Sequence, residues 1–409
     1  MRSFLQAGIA LALAQPLVAQ VTWTVDDNGP ADFASVQAAV DAAGAGDVIL
    51  IEPGSYGNVV VAKPLSLLGN PATTRPTLQI LTIHSVAWFN ASHLSARAVH
   101  VSDVSGPAHL DDIDADSTFS GHMSTVAGAA NLLISRSDFR PQNISGGIGI
   151  PGLSITANSR VQLVDCRVFG GDCFMSDFDP GWGADALTIE HSEVVLAGTR
   201  VEGGDGQDLS GPFGPQDGEG GVAIRVAGNS TVEVRGSSAD LIQGGHQNPS
   251  GFTDPAASID TWDFQSEPRV TVSGVTLDGG VVEDGGDDVA AVAALPYLEV
   301  TGGPDGPGGT RSLDVYGEAG AASVTLAATR SLWEGAFEAF YSMPLFLDPS
   351  KIVATFVDTL AGQDTAASQG LTLPGTPGLS GIGVTFQAFV LGKSGVVTST
   401  NGAGILLSY

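Results

Sequence analysis

Apolar residues recur at every second position through the middle of the chain, in short runs separated by Gly, Asp and Asn. Val161 and Leu163, Val194 and Leu196, Val232 and Val234, and Val270 and Val272 head four such runs. Alternation of this kind marks strands with one buried face. The runs also repeat. Asn158-Ser159-Arg160-Val161-Gln162-Leu163 through Gly170-Gly171-Asp172 aligns without gaps with His191-Ser192-Glu193-Val194-Val195-Leu196 through Gly203-Gly204-Asp205, at an offset of 33 residues. Further copies run from Asn229 to Gly244-Gly245 and from Arg269 to Gly279-Gly280, so the Gly-Gly pairs fall 33, 41 and 35 residues apart. One such unit cannot bury its own apolar face, whereas stacked neighbours can. The pattern predicts an all-β protein, a right-handed parallel β-helix, in which each Gly-Gly gives the backbone a bend that a side chain would obstruct. Three polar insertions, Asp172–Gly183, Asp205–Gly220 and Gly245–Glu267, leave just after a Gly-Gly pair. Stacking puts them on one edge of the coil, where binding residues are expected.

A helix precedes the coil. Ser35 is placed to cap it, Val36, Ala39, Val40 and Ala43 follow at helical spacing, and Gly44 is expected to stop it. Strands are predicted at Asp47–Glu52, Val59–Val61 and Leu65–Leu68. The stretch Ala31-Asp32-Phe33-Ala34-Ser35-Val36 through Ala43, followed by Gly46-Asp47-Val48-Ile49-Leu50-Ile51-Glu52-Pro53-Gly54-Ser55-Tyr56, resembles the opening of pectin-lyase-like β-helix proteins, pectinesterases included. The resemblance covers about 50 residues and implies that the helix caps the open end of the coil. It points to fold more than to activity.

The pattern changes near residue 285. Ser312–Tyr316, Ser323–Ala327, Ile352–Val357, Val384–Leu391 and Ile405–Leu407 read as antiparallel strands of a small β-sandwich. The expected division is 1–19 leader, 20–288 β-helix and 289–409 sandwich. Gly378 through Leu391 is similar to C-terminal segments of large bacterial secreted proteins, which leaves an attachment module, a sorting module or a cap as its role.

Composition narrows the setting. Arg2, the apolar run Leu5–Val18 and the small residue Ala19 have the form of a signal peptide, which implies bacterial export to the medium or the cell surface. The run is too short for a comfortable membrane span, and no later stretch is long enough. The formal net charge is −28, from 44 acidic and 16 basic residues. Such a surface repels nucleic acid and anionic membranes and suits cations, salt or solubility. Two cysteines, Cys166 and Cys173, make no disulfide framework, and both a single bridge and two free thiols remain open.

The catalytic motifs of the resembling families are incomplete. Pectinesterases pair two aspartates with glutamines and an Arg-Trp sugar clamp; Gln363-Asp364-Thr365 matches three letters of one motif, but no Leu-Gly-Arg-Pro-Trp follows. The Gly-His-Gly and Arg-Ile-Lys of polygalacturonases and the Tyr-Gly-x-Asp-Pro-His of alginate epimerases are absent. The seven histidines show no close ligand spacing and are expected at the surface or at coil corners. What remains is a set of binding candidates. The repeat stacks Arg167 on Arg200 and Asp172 on Asp205. Asp172, Asp177, Asp179, Asp205, Asp208, Asp217 and Glu219 form a candidate oxygen-rich calcium site, with an ordinary surface charge ladder as the alternative. Trp182, Phe213 and Trp262 lie in or beside the insertions with Phe174, Phe178, Phe252 and Phe264, where sugar rings can stack, although such rings also anchor loops. The sequence therefore points to a surface, adhesion or glycan-binding role without a complete catalytic set. A polysaccharide lyase or hydrolase working along the Asp172/Asp205 edge is the alternative.

Overall fold

The computed structural model describes residues 20–116, 121–145, 147–174, 181–207, 209–211, 214–216, 218–246, 256–261, 268–283, 289–292, 295–301, 309–329, 331–334, 345–347, 352–362, 364–373 and 380–406. The expected leader, 1–19, lies outside them. Asp47 sets the entry to the coil: its carboxylate accepts from the Val21 and Gly44 N–H groups and from Trp23 Nε1. The helix α1 spans Val36–Ala42, and Ser35 Oγ accepts from the Ala38 N–H. Its Val36, Ala39 and Val40 join the same buried cluster as the coil interior, so the helix covers the top of that core. Lys63 donates to the carbonyls of Asp41 and Ala43 at its C-terminal end, where a cation opposes the helix dipole. The helix closes on Ala43 in extended conformation rather than on Gly44, and the left-handed turn falls later, at Gly46 (φ +96).

Below the helix the chain winds as a parallel β-helix of three sheets, each strand pairing with its counterpart one turn away. Arg160–Val164, Glu193–Ala197, Thr231–Arg235 and Arg269–Ser273 stack in the first sheet, with Val161 opposite Val194, Val194 opposite Val232 and Val232 opposite Val270. These four valines lie in one continuous apolar core. The second sheet is made of short strands, Asp138–Arg140, Arg167–Phe169, Arg200–Glu202, Leu241–Gln243 and Thr276–Asp278. The third includes Ser124–Ala127, Leu153–Thr156, Leu187–Glu190, Ile224–Ala227 and Ile259–Thr261.

The Gly-Gly pairs serve closeness more than bending. Among the six glycines 170, 171, 203, 204, 244 and 245 none has positive φ; only the last pair, Gly279 and Gly280, does. The stems by which each insertion leaves and rejoins the coil touch here, and a Cβ on Gly204 would lie 2.2 Å from the Gly171 carbonyl oxygen. That contact is a hydrogen-bonded column: Ala184 donates to Gly171, Gly204 to Ala184, Gly221 to Gly204, Gly245 to Gly221 and Ala256 to Gly245, at 2.8–3.0 Å. Each insertion is thus pinched off at a neck of backbone alone.

The C-terminal residues form antiparallel sheets, as expected. Tyr297–Thr301, Thr310–Tyr316 and Ala367–Thr372 make one; Ile352–Thr359, Ala322–Ala328, Gly383–Leu391 and Val397–Ser399 make another, with Ala403–Leu406 pairing beside Gly383–Leu391. They are laid along the flank of the coil. Leu133, Val164 and Ala197, which point outward from the first sheet, share a core with Leu298, Phe386 and Ile405. Gln162 Oε1 accepts from the Gly402 N–H at 2.7 Å, and Arg235 donates to the carbonyls of Pro296 and Ser399. The first sheet is therefore buried on both faces.

Candidate functional site

With the first sheet covered, the second offers a charged outer surface. Its strands read Asp138-Phe139-Arg140, Arg167-Val168-Phe169, Arg200-Val201-Glu202 and Leu241-Ile242-Gln243. The central residue of each points into the core, so its neighbours point out. Two outward columns result, rising about 4.8 Å per turn. One is Asp114, Asp138, Arg167 and Arg200; the other is Asp116, Arg140, Phe169, Glu202 and Gln243. Arg167 and Arg200 are stacked as the repeat predicts. Both are paired with acids: Arg167 Nε donates to Asp138 Oδ1 at 2.7 Å, an acid it shares with Arg140, whose Nη2 donates to Asp138 Oδ2 at 2.9 Å, and Arg200 pairs with Glu202.

The second column lines a trough of about 650 Å³, bounded by Asp116, Arg140, Gln142, Asn143, Phe169, Glu202, Asp172 and Asp205. The Arg140 guanidinium lies over the Phe169 ring, 5.4 Å from its centroid. Asp172 and Asp205 line the wall beside the necks as a ladder. Asp172 Oδ1 accepts from the Asp205 N–H at 2.8 Å, Asn143 Nδ2 donates to Asp172 Oδ2, and Asp205 Oδ1 accepts from the His246 N–H at 2.7 Å. Burial, reinforced by the charge of Asp205, holds the Asp172 carboxyl above the usual carboxylate range.

The first column faces a groove of about 530 Å³ that also takes in Arg75, Asp112, Arg136, Asp165, Asp240 and, from the C-terminal sheets, Thr301. Asp165 is solvent-accessible at a coil corner, yet the protein around it desolvates the carboxyl and Asp240 repels it. Its pKa rises to about 6 although Arg136 and Arg167 oppose the shift.

Several expected site residues fall elsewhere. Asp177, Asp179, Asp208, Asp217, Phe213 and Trp262 lie outside the described residues, as do Phe178, Phe252, Phe264 and Gln363. Trp182 is exposed on a returning strand, where Gly147–Ile148 pairs with Gly181–Trp182, away from the trough lining. Glu219 is exposed, and its carbonyl accepts from the Gly183 N–H. Among the described residues no three His, Cys, Asp or Glu side chains are grouped to hold a metal ion. Cys166 and Cys173 are buried and are not joined by a disulfide. Burial pushes the Cys166 thiol up, and it donates to the carbonyls of Ile134 and Val164. His109 departs from the surface expectation: it is buried under the C-terminal sheets against Ser135 Oγ at 2.8 Å, and desolvation lowers its pKa to about 4. Arg140, Phe169, Glu202 and Asn143 were not singled out from sequence. Parity carried the missing signal: Phe169 and Glu202 stand two residues after Arg167 and Arg200, hence on the same face.

No family model and no curated protein matches this chain. Among solved structures, the enzymatically active domain of tailspike protein 2 from bacteriophage CBA120 is similar over 87% of this chain and 69% of that one, at 12% identity and a TM-score of 0.27. The full-length tailspike protein 2 from an Escherichia coli O157:H7 bacteriophage is similar over 87% of this chain and 62% of that one, again at 12% identity and a TM-score of 0.27. The fold assignment rests on this chain's own strand register. Among the described residues no helix is long and apolar enough to cross a membrane.

Proposed function

We propose that this chain is an exported glycan-binding protein and that its saccharide lies in the trough along Arg140, Phe169 and Glu202. The observation that carries this reading is the outward column itself. It sets an aromatic ring between a guanidinium and a carboxylate, beside the Asn143–Asp172–Asp205 ladder, at a repeat suited to an extended chain. The C–H face of a pyranose packs on an aromatic ring; with the Arg140 guanidinium over one face of Phe169, the sugar would lie against the part of the ring left open to the trough, where Arg140 can donate to its hydroxyls or to a uronate carboxylate. The acids accept from the remaining hydroxyls. A glycan array covering neutral, uronic and sulfated chains, read with calcium and with chelator, tests the reading. Retention of a defined glycan class is expected, and a blank array in both conditions removes it. Calcium dependence would bring in the acidic insertion residues Asp177, Asp179, Asp208, Asp217 and Glu219 as ligands, whereas equal binding with chelator would exclude a calcium role in recognition.

A second reading, cleavage of an acidic glycan, draws on Asp172 next to Asp205, since a carboxyl that burial shifts upward holds its proton to higher pH than an ordinary one, the direction general acid work requires. It predicts reducing-end release from uronic-acid polymers that drops at least tenfold in Asp172→Asn, a change that keeps the side chain's shape and one of the two hydrogen bonds it accepts. Equal release by the two proteins would dismiss it.

A further inference from the structure

The strand Tyr297–Thr301 enters the C-terminal sheets beside the coil, and Glu299 stands at its centre. A Cβ built on Gly198 would lie 1.8 Å from Glu299 Oε1. Gly198 has φ +54, as do its counterparts in preceding turns within a few degrees: Asp112 (+56), Arg136 (+49) and Asp165 (+52). Pairing of Asp111 with Ser135, Ser135 with Val164 and Val164 with Ala197 puts these residues in one corner column. Side chains of the coil fill that column as far as Asp165. In the next turn the side chain is missing, and Glu299 of the C-terminal sheets occupies the gap.

The surroundings of this carboxyl are acidic. Asp165 and Asp240 face it from the coil, and Asp314 from the neighbouring strand. The Tyr316 hydroxyl hydrogen-bonds it, and Tyr316 is stacked on Tyr297 at 4.3 Å. Beyond Asp165 stand Arg136 and Arg167, and Arg167 is paired with Asp138.

We propose that Glu299 is a proton-operated latch between the coil and the C-terminal sheets: uncharged, it closes the gap over Gly198, and ionised, it meets three carboxylates and loosens the contact. Loosening would widen the neighbouring groove, since Thr301, two residues on, forms part of its wall. Burial first, then Asp165, Asp240 and Asp314, push Glu299 from the ordinary 4.5 up to about 8. The docked form therefore holds a proton that the released form gives up. Release is disfavoured below about pH 4.5 and grows by up to about tenfold per pH unit until about pH 8, where it levels off.

Amide hydrogen exchange of the full mature chain, without saccharide and corrected for the intrinsic pH dependence of exchange, tests the latch independently of any binding activity. Between pH 6 and pH 8, protection in 297–301, 310–316 and 399–406 is expected to fall at least tenfold in the native protein, while 187–190 on the third sheet stays constant. Glu299→Gln should hold its protection through pH 8. An equal response in native and variant proteins, or no fall in the native one, overturns the proposal. Should Glu299→Gln misfold, seen as lost protection at 187–190 already at pH 6, Asp240→Asn serves instead. With one repelling charge gone the fall should shrink, and an unchanged fall again overturns the latch.

Discussion

Two coil corners carry columns of residues with a left-handed backbone, and at the Ala157 turn Asn158 shares that conformation. Ser85, Asp103, Gly128, Ala157, His191 and Gly228 stand at one corner; His93, Asp112, Arg136, Asp165 and Gly198 at another. Asp, Asn, His and Gly tolerate that conformation best, which is why such residues punctuate the repeat. Next to the first of these corners runs a serine ladder. Ser159 Oγ accepts from the Ala129 N–H, Ser192 Oγ from the Ser159 N–H and Ser230 Oγ from the Ser192 N–H, each at 3.2 Å. All three side chains are buried, so Ser192→Ala leaves a donor without its acceptor and should cost about 1–3 kcal/mol in urea unfolding. At the necks, Gly204→Ala drives a methyl group into the Gly171 carbonyl, and a loss of about 1–3 kcal/mol or more is expected by the same measurement. Both ladder and necks stood in the aligned Asn-Ser, His-Ser and Gly-Gly letters. Their physical reasons did not, because distances between chain segments set them.

Among the elements, strands buried on one face were plain in the sequence, and so was a second signal. Val48-Ile49-Leu50-Ile51, Asn131-Leu132-Leu133-Ile134 and Glu193-Val194-Val195-Leu196 are apolar on both parities. That is expected of a parallel sheet covered on both faces, and the covering layer is the C-terminal sheets. In Thr231–Arg235 and Arg269–Ser273 the outward positions turn polar, where Arg235 donates to the carbonyls of Pro296 and Ser399 in the cover. Leu133→Ala, which empties part of the shared core, is expected to cost about 2–5 kcal/mol in urea unfolding. Thr188→Ala, half-buried at an outward position of the third sheet, should change it by no more than about 0.5 kcal/mol. The side on which the cover docks was not legible, since nothing local to residues 297–406 names its partner surface. The trough was half legible for a related reason. Charge drew attention to Arg167 and Arg200, whereas Phe169 and Arg140 gain meaning only when adjacent turns are superposed.

For the molecule as a whole, the balance of acids sets the response to pH. Asp165 and Glu299 titrate higher in the folded protein than in the unfolded chain, from 3.8 to about 6 and from 4.5 to about 8. Their contribution to stability is complete below about pH 4 and is lost as pH rises through 6 and 8. Asp112 works in the opposite sense: burial raises it, but hydrogen bonds from His93 and Arg75 outweigh burial and leave it lowered, so its contribution disappears as pH falls through the acid range. Thermal unfolding followed across pH should therefore show greatest stability at mildly acidic pH. Asp165→Asn should flatten the alkaline side of the curve between pH 4 and 6. On the proposed reading, the same acidic surface would make binding of a uronic or sulfated glycan dependent on salt and on Arg140, the arginine that lines the trough. The most direct measurement of the central claim is a calorimetric titration of a saccharide retained on the array into native, Phe169→Ala, Arg140→Ala and Thr188→Ala proteins. Affinity reduced about three- to tenfold by Phe169→Ala, as loss of a ring contact implies, reduced also by Arg140→Ala and untouched by Thr188→Ala, is the predicted result. Equal affinity in all four proteins would contradict it.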